Sequence, residues 1–380
     1  MKSMYLQIDS VLKKMTVSVT VALLLTAGTG CFIQYIPVLS EAAYEKFHPD
    51  SDEDTKPDSE TELPPDLLRP DFYLSQGFGF LEQSGSAVQI PVSEEETQAF
   101  SDPGDKPYPE NWNLTGGLVQ QMSYGTYAGT NYFHLPKAGQ VQNQTSLSNQ
   151  TLYEESQLLP EFRIQKDGSP QVLIMHTHTT ESFEPYERTA YDTDFNYRTT
   201  DSSKNVVMVG EAIAEQLETA GIGVIHDVTV HDYPSYTGSY ERSAETVRNL
   251  LLQYPGIKIV LDIHRDAVGG NGVIKQPVAE IDGKKAAQIM IISGCDDGTM
   301  HMPEYLKNFR FSCLLQQQLE SDYPGLTRPV LFDYRKYNQD LTTGSILIEV
   351  GSHGNTLGQV QYSGELIGRS LARALESLEE

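Results

Sequence analysis

Two histidines and a glutamate follow a hydrophobic run in the segment QVLIMHTHTTESF, residues 171–183. His176 and His178 are separated by one residue, and Glu181 lies three positions after the second histidine. Neutral imidazoles and a carboxylate are common ligands of a hydrolytic zinc ion, which keeps one position open for water. An H-x-H pair alone is weak evidence, so the interpretation depends on which other ionisable residues the fold brings to this place.

Two further apolar runs also end in an ionisable residue. IKIVLDI ends in His264, which is followed by Arg265, and SILI ends in Glu349. The carboxyl ends of parallel strands meet at one edge of a sheet, where ligands bind. Three buried strands are therefore expected to bring His176, His264 and Glu349 to one site.

The predicted chemistry is metal-assisted hydrolysis. His176, Glu181 and His264 form the predicted zinc-binding set, and His178 is an alternative ligand to His176. Glu349, if it is not a ligand, is free to take the proton of the zinc-bound water and return it to the leaving nitrogen. A single histidine at a strand end is more often a surface or core residue, but the joint placement on several strands favours a site.

Two further residues are predicted to contact the substrate. Arg265 could pair with a substrate carboxylate, although a structural bridge to Asp262 or Asp266 is an equally good interpretation. Asn338, in the polar tract YNQDL just before the Glu349 strand, is predicted to position the substrate.

The order of apolar runs and helical repeats predicts the fold class. Val- and Ile-rich strands that alternate with helices indicate an α/β fold whose mostly parallel sheet is covered by helices on both faces. From about residue 111 to 150, apolar and polar residues alternate and glycines interrupt them. This pattern predicts a short β-rich segment at the start of the domain. After residue 160 the pattern predicts strands at 172–176, 223–227, 257–264, 286–294, 329–334 and 345–351, and helices at 205–221, 240–256, 305–325 and 357–379.

The first forty residues predict a membrane anchor. Residues 15–40 contain no charged residue, which is enough to cross a hydrocarbon layer of ~30 Å. Lysines 2, 13 and 14 precede this run, so residues 1–14 are predicted to be cytoplasmic and the rest to face outward. A cleaved signal peptide is the competing interpretation, and either way the functional part is exported.

Residues 41–110 predict an extended linker. They hold 18 Asp or Glu against 4 Lys or Arg, and 9 of the 20 prolines, within a chain of net charge −25. Such a segment cannot bury enough apolar surface to fold, so we expect a disordered tether that gives the domain at 111–380 reach from the membrane. The acidity and the lack of a basic stripe argue against nucleic acid as a partner.

Only two cysteines, Cys295 and Cys313, lie within the predicted domain. They could form one disulfide, but two buried small hydrophobic residues is the favoured interpretation.

Several long motifs resemble the stage II sporulation protein P family. They are, in order, HTHTTESF, NVVMVGEAIAEQLETAGIGVIHD, VHDYPSYTGSYERS, IVLDIHRDAVG, KKAAQIMIISGC and RKYNQDLTTGSILIEVGSHGNTL. The resemblance covers about residues 111–380. It implies a membrane-anchored peptidoglycan hydrolase similar in its core to zinc-dependent N-acetylmuramoyl-L-alanine amidases, with endopeptidase activity as well. It also implies work with stage II sporulation proteins D and M during engulfment of the forespore.

The resemblance carries over position by position. The first family histidine falls on His176, with His178 left open, the second falls on His264, and the catalytic glutamate falls on Glu349. In the broader amidase group the first zinc ligand usually lies in a glycine-rich GHGG turn. In this chain the segment HTHTTE stands in its place.

Two other classes of function stay open on the sequence. The chain could be an inactive wall-binding scaffold that recruits other hydrolases, although a scaffold has no need of ionisable residues at buried strand ends. It could also be a metal-free histidine-dependent hydrolase such as a phosphatase, which would call for an arginine cluster around the histidines.

Overall fold

The computed structural model describes residues 113–193, 195 and 197–380. The predicted cytoplasmic segment, the predicted anchor at 15–40 and the predicted linker at 41–110 lie outside these residues. Across the described part of the chain, no helix combines the length and the apolar character that crossing a membrane requires.

The described residues form thirteen strands and five helices. The strands are β1 (Gly117–Met122), β2 (Tyr132–His134), β3 (Gln140–Asn143), β4 (Pro170–Met175), β5 (Ala190–Tyr191), β6 (Gly223–His226), β7 (Ile259–Asp266), β8 (Gly269–Gly270), β9 (Val273–Ile281), β10 (Lys284–Ala287), β11 (Ile289–Gly294), β12 (Val330–Asp333) and β13 (Gly344–Ser352). The helices are α1 (Asn149–Glu155), α2 (Val206–Thr219), α3 (Ser239–Gln253), α4 (Tyr305–Asp322) and α5 (Leu357–Glu376).

Eight strands build the main sheet, in the order β2-β3-β12-β11-β13-β7-β4-β6. Only the β2–β3 and β11–β13 pairs are antiparallel, and the other neighbours are parallel. This confirms the predicted α/β class with a mostly parallel sheet. It also makes β4, β7 and β13 immediate neighbours, so their carboxyl ends share one edge.

Side chains along β4 and β7 alternate between two hydrophobic layers. Ile174 and Leu261 belong to the larger cluster, which includes apolar residues of α2, α4 and α5. Leu173 and Val260 belong to a second cluster with Val247 of α3. Helices therefore cover both faces of the sheet, as predicted, and fully burying each such side chain contributes ~1.5–3 kcal/mol.

A second sheet, which the sequence analysis did not anticipate, has the order β10-β9-β1-β5, with β8 also paired to β9. The single strand predicted at 286–294 is therefore wrong, because β10 pairs with β9 in this sheet while β11 lies in the main sheet. Asp282 and Gly283 join β9 to β10, and both have positive φ angles, 50° and 74°. An Asp-Gly turn of this kind favours a tight antiparallel hairpin.

Cys295 and Cys313 are both buried and are not joined in a disulfide. Burial raises the pKa of the Cys295 thiol to about 12. The favoured interpretation, two buried small hydrophobic residues, is confirmed.

Candidate active site

The parallel pairing of β7 and β13 places His264 and Glu349 directly opposite each other. Both side chains are buried, with relative exposures of 3% for His264 and 8% for Glu349. They lie on the face of the sheet that α3 covers, because the strand alternation that sends Val260 toward α3 also sends His264 there. The carboxyl edge of the sheet therefore carries an imidazole beside a carboxyl group.

A buried turn brings two more ionisable residues to this pair. Every residue from 171 to 184 is buried, and β4 ends at Met175. The Thr177 backbone N–H donates to Asp262 Oδ1 at 2.8 Å, and the Thr177 hydroxyl donates to Asp262 Oδ2 at 2.7 Å. The Glu181 N–H then donates to the His178 carbonyl at 3.1 Å, which closes the turn. The turn ends the strand alternation and directs His178 and Glu181 toward His264.

His264 lies between two carboxylates. Its Nε2 is 2.8 Å from Asp262 Oδ1, and its Nδ1 is 3.5 Å from Glu181 Oε2. Burial disfavours the charged imidazolium, but the two carboxylates outweigh burial and hold the pKa of His264 well above its usual range. Burial likewise works against the Glu181 carboxylate, and the contact with His264 outweighs it and lowers the pKa of Glu181.

His178 packs against the same ring. The centroids of the His178 and His264 rings are 5.1 Å apart in an edge-to-face arrangement. The Tyr236 hydroxyl lies 3.0 Å from His178 Nε2, and the Ser239 hydroxyl lies 3.3 Å from His178 Nδ1. Burial holds the pKa of His178 well below its usual value, so the ring is neutral, the form that binds a metal, whereas His264 with its raised pKa would release a proton when a metal binds.

The structure does not bring His176 to this cluster, which corrects the expectation that it is the first ligand. His176 follows Met175 on the strand alternation and so lies on the α2 side of the sheet. Its Nδ1 is 3.1 Å from the Ile263 carbonyl, its Nε2 is 3.0 Å from His226 Nε2, and the ring packs against Gly210. Burial and the neighbouring His226 lower the pKa of His176 to about 3. The open alternative, His178, is the histidine that meets His264.

Glu349 has the properties of a proton carrier. Its Oε2 is buried and accepts no hydrogen bond from any residue that the structure describes. Burial, followed by the negative charge of Asp266, raises the pKa of Glu349 to about 8. A carboxyl group whose pKa lies near neutrality can both accept and return a proton.

Both residues predicted to contact the substrate make hydrogen bonds to other groups of the protein. Arg265 is fully buried, and it donates from Nε to the Ser182 carbonyl at 2.9 Å and from Nη2 to the Tyr197 carbonyl at 3.0 Å. It therefore ties two loops together, and neither hydrogen bond goes to Asp262 or Asp266. Asn338 donates from Nδ2 to the Tyr240 carbonyl at 2.9 Å, which fastens its loop to α3.

Arg198 and Asp262 also contact the cluster, and neither was predicted from the sequence as a site residue. The Arg198 guanidinium is 3.7 Å from Glu181 Oε1, 2.8 Å from Asp232 Oδ2, and 5.0 Å from the centroid of the Tyr236 ring. The sequence around Arg198 contains no motif that would predict its position beside Glu181. Asp262 could have been found, because a residue two positions before His264 on a strand shares its face.

The residue types of the cluster and their separations bear on whether it can bind a zinc ion. At Zn–N and Zn–O distances of about 2.0–2.2 Å, two tetrahedral ligand atoms lie roughly 3.3–3.5 Å apart, and His264 Nδ1 and Glu181 Oε2 are 3.5 Å apart. The nitrogens of His178 instead face Tyr236 and Ser239. Within residues 113–193, 195 and 197–380, no group of three or more His, Cys, Asp or Glu side chains is arranged to hold a metal ion. The residue types and the His264–Glu181 separation fit zinc, whereas His178 is a donor of the right type whose nitrogens would have to exchange Tyr236 and Ser239 for the ion.

Comparison with protein families gives a match over most of the described residues. The model of the family described as Stage II sporulation protein P (SpoIIP) matches residues 119–372. The chain is 29% identical over 257 residues to Stage II sporulation protein P of Bacillus subtilis (strain 168). That alignment covers 61% of this chain and 60% of the length of the relative.

Solved structures give weaker likenesses. N-acetylmuramoyl-L-alanine amidase AmiC2 of Nostoc punctiforme is 14% identical, with a TM-score of 0.33, over 55% of this chain and 98% of that one. The CwlD amidase from Clostridioides difficile, in complex with the GerS lipoprotein, is 12% identical, with a TM-score of 0.32, over 55% of this chain and 99% of that one. At such TM-scores these likenesses carry no inference about this chain.

Proposed function

The chain belongs to the stage II sporulation protein P family, and on that premise we propose that it is a peptidoglycan hydrolase that acts during sporulation. The proposed reaction is hydrolysis of the amide between N-acetylmuramic acid and the L-alanine of the stem peptide. One observation carries the proposal: the sheet edge brings His178, Glu181 and His264 together beside the buried carboxyl group of Glu349.

A zinc ion is part of the proposal, held by His178, Glu181 and His264. When bound, such an ion polarises the amide carbonyl and lowers the pKa of a water molecule at its open position. Asp262 orients the His264 ring from the other side, as an outer carboxylate commonly does for a metal-binding histidine. The Arg265 backbone N–H donates to Glu181 Oε2 at 3.0 Å and helps to fix that carboxylate.

Glu349 moves the proton in the proposed reaction. It takes a proton from the attacking water at the edge of β13 and returns it to the leaving nitrogen of the amide. Its burial keeps bulk water from competing for that proton, and its position opposite His264 holds it beside the reacting atoms. His176, Arg265 and Asn338 have structural roles in this scheme.

The setting of the reaction follows from the sequence. We propose a single membrane span at residues 15–40, with the catalytic domain on the outer face of the cell membrane and residues 41–110 as the tether. The charge-free run and the lysines that precede it support this topology. Peptidoglycan is the proposed substrate, and stage II sporulation proteins D and M are the partners that the family resemblance implies.

The proposed function can be tested on purified peptidoglycan. The full chain would be incubated with zinc or with a chelator, and the released products would be identified by mass spectrometry. We expect free stem peptides that begin at L-alanine, and we expect their loss with chelator and in the His264→Ala and Glu349→Ala variants. Cleavage within the stem peptide, seen in the same spectra, would report endopeptidase action.

His134→Ala serves as a control, because His134 is an exposed histidine on β2. It should release the same peptides at the same rate as the unaltered chain. Intact peptidoglycan after zinc is restored and a glycosidase has loosened the strands would reject the proposed hydrolase and favour the scaffold.

A further inference from the structure

Among the residues that the structure describes, the cations already named at the site are bound to other groups of the protein. Asp262, Glu181 and Glu349 crowd the sheet edge, Arg198 is held by Asp232, and Arg265 is buried against backbone carbonyls. Binding of an anionic peptide beside this much negative charge calls for a cation at the rim of the site.

Arg328 lies at that rim, two residues before β12. Its backbone N–H donates to the Ile289 carbonyl at 2.7 Å, and Ile289 pairs with Val350, the residue after Glu349. β11 runs antiparallel to β13, so the starts of β11 and β12 share the edge where β7 and β13 end. Arg328 therefore lies near Glu349, just before the start of β12.

The contacts of Arg328 fix one edge of its guanidinium. Nη1 donates to Asp266 Oδ2 at 2.7 Å, and the guanidinium carbon lies 4.8 Å from the centroid of the Tyr124 ring. Among the residues that the structure describes, this is the one hydrogen bond that the guanidinium makes, and the side chain is 15% exposed. The tyrosine and the aspartate thus hold the plane in place, while Nε and Nη2 keep N–H groups for another acceptor.

We propose that Arg328 binds a free carboxylate of the stem peptide next to the scissile amide. The proposal rests on the proposed function, and it assigns to Arg328 the substrate contact that the sequence suggested for Arg265. The planar fork of arginine recognises carboxylates through two parallel hydrogen bonds, so a carboxamide at the same position should bind less well.

The test compares two substrates that differ in one group. The first is N-acetylmuramoyl-L-alanyl-D-glutamate with its γ-carboxylate blocked as a methylamide, so that the α-carboxylate is the free one, and the second also carries a carboxamide in place of that α-carboxylate. For the full chain with zinc, we expect kcat/KM to be about tenfold or more higher for the carboxylate. Arg328→Gln should bring this ratio close to one, and Arg328→Lys should leave it at an intermediate value. Asp266→Asn should raise the ratio, because it removes the charge that partly neutralises Arg328.

Arg373→Gln is the matched control, because Arg373 forms an ion pair with Asp322 on the surface of α5. Its ratio should equal that of the unaltered chain. If Arg328→Gln lowers kcat/KM for both substrates and leaves the ratio unchanged, Arg328 acts only through the fold and the proposal is overturned.

A binding measurement keeps this inference separate from the proposed function. L-alanyl-D-glutamate with the same γ-methylamide and its α-carboxamide would be titrated calorimetrically into the unaltered chain and into Arg328→Gln. Preferential binding of the carboxylate that is lost in Arg328→Gln supports the assignment even if neither muramoyl substrate is cleaved, an outcome that would reject the amidase alone. Equal binding of the two dipeptides by the unaltered chain overturns the assignment of Arg328.

Discussion

Glu349 and His264 are direct partners across two neighbouring parallel strands. The environment raises the pKa of both side chains, for the carboxyl group mainly through burial and for the imidazole through the carboxylates beside it. The pair therefore combines a carboxyl group whose pKa lies near neutrality with a ring that two carboxylates hold in place.

Glu349→Gln should lower the rate of amide hydrolysis by about 10²–10⁴-fold, the usual contribution of a positioned acid–base group. Glutamine fills the same space but cannot carry the proton. The rate of stem-peptide release from peptidoglycan measures the effect, with circular dichroism to show that the fold is retained. Glu280→Gln, on the exposed side of β9, is the control. A Glu349→Gln variant with full activity would remove Glu349 from the mechanism.

Glu349 should also make stability depend on pH. Its pKa is about 8 in the folded chain against 4.5 as the unperturbed value, so the unfolded chain releases the proton first. The stability that the neutral carboxyl group contributes is complete below pH 4.5 and is lost as the pH rises toward 8. With chelator present, the free energy of unfolding of the unaltered chain should fall relative to Glu349→Gln by on the order of 1 kcal/mol per pH unit in this window. Urea unfolding at several pH values measures it, and parallel curves for the two proteins would contradict the raised pKa.

His178 and His176 should differ sharply in their effect on bound zinc. Loss of an outer contact to a ligand costs about 10–100-fold in metal affinity, so removal of a ligand itself, in His178→Ala, should cost more. His176→Asn should leave zinc affinity within about tenfold, since His176 contacts Ile263 and His226 on the other face. Zinc content after dialysis against a competing chelator measures both.

His176→Asn should nevertheless lower the stability of the fold. His176→Asn disturbs the buried contact to the Ile263 carbonyl, which costs about 1–3 kcal/mol. Zinc retained in His178→Ala but lost in His176→Asn would reverse the assignment of the first ligand.

Gly210→Ala should destabilise the fold although alanine favours helices. A Cβ atom at position 210 of α2 would lie 2.5 Å from His226 Nε2 and 2.9 Å from His176 Nε2. The gain in helix propensity is about 1 kcal/mol, whereas overpacking a buried site costs about 1–3 kcal/mol, so the free energy of unfolding should decrease. Gly358→Ala in α5 is the matched control, because a Cβ atom there meets no atom within 4 Å and should leave the fold as stable or slightly more stable. Equal effects in thermal unfolding would show that the rings of the histidine pair can move aside.

The sequence predicted the main sheet because its strands are long, continuous apolar runs. The strands that end in His264 and Glu349 lie side by side as expected, and the helices that separate the strands begin and end within a few residues of the predicted positions. The second sheet was missed because its longest strand, β9, has the mixed sequence VIKQPVAEI and not a continuous apolar run, and because β5 and β8 have only two residues each. The Asp282-Gly283 turn was the local signal for its hairpin.

The site was only partly predictable, and strand alternation explains why. Strand alternation places His176 and His264 on opposite faces of the sheet. The spacing in HTHTTE does not show this, because the turn after Met175 decides which of the two histidines lies beside His264. Arg265 is next to His264 in sequence and is for that reason directed away from it. Arg328 lies just before the start of β12. Only residues at the carboxyl ends of strands were expected at the site, so Arg328 was not predicted.

The buried turn that carries His178 and Glu181 has a consequence for binding. The Glu181 carbonyl accepts the Val206 N–H at the start of α2, and the Glu184 carbonyl accepts the Leu357 N–H at the start of α5. The turn is thus anchored to the first residues of two core helices, and its conformational entropy is lost when the chain folds. Because this ordering is complete before any ligand arrives, affinity for a cation or a peptide is not reduced by the need to assemble the turn. Preorganisation of the site is in this sense a property of the folded core.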